Sequence, residues 1–95
     1  MNLESAAITL NKLGHHVRLC IFKTLVATDE KGVSVGELRL RVGVPASTLS
    51  HHLAELASIG LIKQTRRGRH LYCTAERERF SKLMKYLRED CIAHH

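Results

Sequence analysis

Apolar residues near the start of the chain recur at helical spacing. Leu3, Ala6, Ala7, Leu10 and Leu13 share one side of a helix over residues 3–13, which Gly14 interrupts. From about His15 to Thr28, Val17, Leu19, Cys20, Ile21, Phe22, Leu25 and Val26 wrap most of a helical circumference. That pattern predicts the buried centre of the fold, with Cys20 in the core. Asp29 to Val33 reads as a loop around Gly32. Ser34-Val-Gly-Glu37 has the form of a capping box, in which the hydroxyl accepts an amide of the first turn and the carboxylate reaches back. A short helix from about Val35 to Val42 follows, closed by Gly43. Pro45 opens the next helix, where its missing N–H costs nothing. Two short helices about a tight turn form a helix-turn-helix.

The fourth helix runs from about Pro45 to Ile59 and stops at Gly60. At 100° per residue, Leu49, Leu53 and Leu56 gather on one side with Pro45 and Ala46. The other side carries Ser47, His51, Ala54 and Ser58, flanked by Thr48 and Glu55. A face this small and rich in hydrogen-bonding groups can enter a major groove and meet base edges. The residues nearest its N-terminus, Ser47, Thr48, Ser50 and His51, are the candidate base contacts. A solvated face of an ordinary amphipathic helix would show the same pattern. Residues 61–74 then read as two β-prone runs around Arg66-Arg67-Gly68-Arg69, a hairpin with an exposed basic tip. Like charges crowded on one short loop repel each other, so Arg66, Arg67 and Arg69 point to a polyanionic partner. Thr74 is placed to cap a last helix whose first turn carries Glu76 and Glu78. On that helix Phe80, Leu83, Met84, Leu87 and Cys91 form one apolar stripe.

The expected architecture is therefore a single domain over residues 1–95, mainly helical with one small β-hairpin. Its element order is four helices, the hairpin and a fifth helix, a winged helix-turn-helix. Charge sharpens this picture. Lys and Arg number 15 against 9 acids, a net +6, which suits nucleic acid or an anionic membrane surface. No apolar run approaches the roughly 18 residues needed to span a bilayer, and the N-terminus lacks a basic, apolar leader pattern. The three cysteines, Cys20, Cys73 and Cys91, are odd in number and form no CxxC pair. They argue against a disulfide scaffold and fit a reducing cytoplasm. No Ser/His/Asp set, phosphate loop or paired carboxylates in an apolar setting occurs, so an enzyme is not expected.

Residues 33–75, VSVGELRLRVGVPASTLSHHLAELASIGLIKQTRRGRHLYCTA, resemble the helix-turn-helix and wing of the ArsR/SmtB repressors. Ser34 to Leu38 matches the start of the first helix, Pro45 to Leu53 the recognition helix, and Arg67 to Tyr72 the wing. Upstream, His16-Val-Arg18-Leu19-Cys-Ile21-Phe resembles the family's Arg-Leu-x-Ile-Leu helix. The resemblance implies a homodimer paired through the first and last helices. It also implies repression at a double-stranded operator of dyad symmetry, released by a ligand or oxidant. A non-specific architectural DNA-binding protein of the same fold remains the alternative.

The metal motifs of the family are altered. Glu-Leu-Cys-x-Cys is replaced by Glu37-Leu38-Arg39-Leu40-Arg41, which removes the soft thiolates that arsenic(III) requires. The Asp-x-His and distant His-x-x-Glu pair is not found. Cys91, His94 and His95 lie at i, i+3 and i+4, so they form the one candidate site for a thiophilic metal or metalloid on the C-terminal helix. Against this, Cys91 continues the apolar stripe as a packed thiol would, and His94-His95 reads equally as a terminal tail. His15-His16 and His51-His52 are expected to be structural or to face DNA, with His52 semi-buried beside the leucines.

Overall fold

A computed structural model describes the backbone of residues 1–93 and side chains as far as Glu89. The helices are α1 (Leu3–Leu13), α2 (His16–Val26), α3 (Val35–Val42), α4 (Ala46–Ser58) and α5 (Arg77–Ala93). The strands are β1 (Val33–Ser34), β2 (Ile62–Arg67) and β3 (His70–Ala75). They form one antiparallel sheet in the order β1-β3-β2. The winged helix-turn-helix order read from the sequence is the order observed.

Side-chain alternation and helical period meet in one core. Ile21, Phe22 and Leu25 of α2, Leu38 of α3 and Leu49, Leu53 and Leu56 of α4 pack with Val33, Ile62 and Cys73 of the sheet. Cys73 is fully buried, and burial pushes its thiol pKa up. Gly43 ends α3 at φ 75°, a left-handed conformation costly for any residue with a Cβ. Its N–H donates to the Arg39 carbonyl at 2.9 Å, closing α3 before the chain enters α4.

Several local expectations are corrected. Cys20 is exposed rather than in the core. Leu19 and Val26 of α2 are also exposed, so this helix buries one side and not its whole circumference. Only Ala6, Thr9 and Leu13 of α1 are buried, while Leu3, Ala7 and Leu10 on the adjoining side are open. The loop read over residues 29–33 ends in strand, because Val33 pairs with Cys73 and Ser34 with Tyr72. Two residues of strand are too short to leave a periodic signal. Ser34 caps α3 by accepting the Glu37 N–H at 3.2 Å. The Glu37 carboxylate does not return to close the box, and instead meets Arg41 one turn on at 3.2 Å. Pro45 is the cap residue just outside α4, and both it and Ala46 are exposed rather than among the leucines. Thr74 lies within β3 and not at a helix cap.

Candidate nucleic-acid interface

The leucine-backed half of α4 sets the orientation of its other half. With Leu49, His52, Leu53 and Leu56 buried, Ser47, Thr48, Ser50, His51, Ala54 and Ser58 are left exposed. The four candidate base contacts therefore stand on the open side of one rigid helix.

The basic hairpin is organised differently from the crowded tip expected. Arg66 and Arg67 are the last two residues of β2, facing Leu71 and His70 across the ladder. Only Gly68 and Arg69 form the turn. Gly68 takes φ 64° while Arg69 does not go positive, the pattern of a type II′ hairpin. Consecutive strand residues point to opposite faces, so Arg66 and Arg67 diverge. All three arginines are exposed. The guanidinium of Arg67 lies 3.9 Å from the centre of the Tyr72 ring and also donates to the Lys31 carbonyl.

Behind α4 lies a cluster that sequence reading only touched. His52 is 5% exposed, and its Nδ1 accepts a hydrogen bond from Arg18 Nε at 3.0 Å. Arg18 also donates to the Lys12 carbonyl at 3.3 Å, and Lys12 is ion-paired with Glu55. The ends of α1, α2 and the middle of α4 are thus tied by polar contacts. The hydrogen bond from Lys12 holds the Glu55 carboxyl below its usual range. The His15 ring lies 4.5 Å from that of His52, and the His51 ring 5.7 Å away. His15 caps α2, its Nδ1 accepting the Val17 N–H at 3.2 Å. His52 is buried where a semi-buried side chain was expected, and its Nδ1 has a hydrogen-bond partner. In sequence Arg18 stands out as a lone arginine inside an apolar helix, the signal of a buried partner.

Burial, then repulsion from His15, Arg18 and His51, pushes the His52 pKa below the ordinary 6.5, with Glu55 opposing. The folded state therefore resists a proton that the unfolded chain accepts. Stability should be complete above pH 6.5 and fall as pH drops below it toward the depressed value. Urea midpoints at pH 8 and pH 5.5 should differ more for the wild-type chain than for His52→Asn. Asparagine can still accept the Arg18 bond through its Oδ1, which takes the place of the ring Nδ1, but does not titrate. An equal pH dependence in both proteins would remove His52 from this role.

Arg39 and Arg41 on α3 were not among the predicted contacts, yet both are exposed. Arg39 and Leu40 line a surface cleft with Gly43, Val44 and Pro45, next to the start of α4. Their alternation with apolar residues on a short helix gave no sign of clustering. Among the described residues no group of three or more His, Cys, Asp or Glu side chains is placed to hold a metal ion. The candidate site of Cys91, His94 and His95 lies outside the described side chains. No helix among the described residues is long and apolar enough to cross a membrane.

A family model described as a helix-turn-helix domain matches residues 13–65. The HTH-type transcriptional regulator YgaV of Escherichia coli (strain K12) is 32% identical over 85 residues, spanning 90% of this chain and 84% of the relative. The chain belongs to the ArsR family. It is a DNA-binding transcriptional regulator of that family, which is not an enzymatic one. An ArsR-like transcriptional regulator from Rhodococcus sp. RHA1 shares the fold, with a TM-score of 0.78 at 24% identity, over 88% of this chain and 76% of the other. The homodimeric winged helix-turn-helix DNA-binding domain of Mb0332 from Mycobacterium bovis gives a TM-score of 0.73 at 25% identity, over 98% of this chain and 86% of that one.

Proposed function

We propose that this regulator binds a dyad operator in duplex DNA as a homodimer, in the cytoplasm, and represses transcription there. Ser47, Thr48, Ser50 and His51 read bases in the major groove, and Arg66, Arg67 and Arg69 hold the wing against the flanking backbone. The observation that carries this reading is the exposed, small and hydrogen-bonding side of α4, backed by buried leucines. Side chains of this size let the helix approach base edges closely, and hydroxyl and imidazole groups can both donate and accept there. Pairing of two copies is supported by the open apolar residues Leu3, Ala7 and Leu10 on α1, and Mb0332 is itself homodimeric.

The test is selection of bound sequences from random duplex DNA, then binding of the selected site by variants. Ser50→Ala and His51→Ala should each cost about 1–3 kcal/mol at the selected site and relax the preference at particular base pairs. The selected site should be bound about 10³-fold or more tightly than random duplex at the same salt. Near-equal binding of all sequences with a steep salt dependence would instead establish the architectural alternative, which the net charge of +6 favours.

A further inference from the structure

Arg67 does not extend freely from the wing. One face of its guanidinium lies on Tyr72, and an N–H at its edge donates to the Lys31 carbonyl. Tyr72 is its diagonal neighbour across the ladder, since Arg67 pairs with His70 and Thr65 with Tyr72. Stacking and hydrogen bonding thus occupy both the plane and the edge of the group, a combination that lysine cannot reproduce. Asp29 and Glu30 line the same cleft as Lys31 and Arg67. The two carboxylates balance the two cations of the cleft, so a distant phosphate would feel little net charge from it.

The support to which Arg67 is tied is itself fixed. The loop from α2 to β1 lies directly on β3: a Cβ placed on Gly32, at φ 80°, would sit 2.3 Å from the Cys73 carbonyl oxygen. Asp29 Oδ1 accepts the Lys31 N–H at 3.0 Å. At the start of this segment Arg77 of α5 donates to the carbonyls of Val26, at 2.8 Å, and of Thr28. The loop that carries the Lys31 carbonyl is therefore tied to α5 at its start and lies close against β3 at its end.

We infer that Arg67 is a positioning residue, a strut from the wing to the α2–β1 loop that sets the angle at which Arg66 and Arg69 meet the duplex. It acts through the wing and does not itself neutralise a phosphate. The inference rests on the reading of the hairpin as a DNA-contacting wing, and it narrows that reading by removing one arginine from the contact set.

Binding to the selected operator over a series of salt concentrations separates the two roles. Arg67→Lys keeps the charge and loses the planar group, while Tyr72→Leu removes the ring and leaves every charge in place. Both should weaken binding by about two- to tenfold and leave the salt slope at its wild-type value. The double variant should be no weaker than the worse single one, because both changes break the same strut. Tyr72→Phe, which keeps the ring, should bind like the wild type and guards against a folding defect at this position. Arg69→Gln should lower the salt slope by about one contact. Wild-type affinity for Arg67→Lys, together with a lost unit of slope for Arg67→Gln, would overturn the strut and make Arg67 a phosphate ligand. Unchanged affinity and slope for both Arg66→Gln and Arg69→Gln would instead remove the wing from the DNA, and the reading on which the strut depends would fall first.

Discussion

Replacing Leu53 with alanine is expected to lower the free energy of unfolding by about 2–5 kcal/mol. Leu53 is 1% exposed at the middle of α4, in the same cluster as Leu49, Leu56, Ile21 and Leu38. Truncation removes the transfer energy of the deleted carbons and leaves a void that neighbours on three helices cannot close without moving their backbones. The whole stability of a domain this size is typically about 5–15 kcal/mol, so the loss is a large share of the total. A chemical-denaturation series measures it. Leu40→Ala is the matched control, because Leu40 is 84% exposed and its removal should change stability by less than about 0.5 kcal/mol. Similar losses at the two positions would show that α4 is not seated on its leucines. The polar side would then have no fixed orientation toward DNA.

Much of this arrangement was legible because the relevant signals are local. The α3–turn–α4 unit announces itself through Ser34, Gly43 and Pro45, each of which acts on its immediate neighbours. The leucines of α4 sort the helix into two sides by period alone. What escaped the sequence was set by partners distant in the chain. The apolar residues of α2 all suit a core, yet Leu19, Cys20 and Val26 are exposed, because hydrophobicity does not say which apolar side the rest of the fold covers. β1 exists only because β3 offers it an edge, so its two residues carried no pattern of their own. The short sequence spacing of the hairpin arginines suggests a single tip. The pleat separates Arg66 from Arg67, and the Tyr72 ring and the Lys31 carbonyl give the latter a place within the protein. The Arg18–His52 bond spans 34 positions of the chain, and no local motif encodes a contact of that range.

Changing Leu10 to glutamate is expected to reduce operator binding to the non-specific level while leaving the protomer folded. Leu10 is 40% exposed and Leu3 73%, and with Ala7 they lie along one side of α1, beside the buried Ala6, Thr9 and Leu13. A helix whose buried stripe continues into an open apolar stripe has room for a second surface to extend the same core. A carboxylate at Leu10 stays solvated in the isolated protomer, but in the proposed dimer it would be stripped of water. If two copies hold two half-sites, the second half-site is bound at a high effective concentration, an advantage that vanishes when the copies separate. Affinity for the dyad site should then fall by about 10³-fold or more, toward the non-specific level. Mass in solution by light scattering should drop to that of one chain, and the far-ultraviolet circular dichroism should be unchanged. A variant that becomes monomeric and still binds the operator with wild-type affinity would show that one protomer suffices for recognition. A variant that stays dimeric would place the pairing surface away from this stripe, because a carboxylate taken out of water is costly for an apolar interface to absorb.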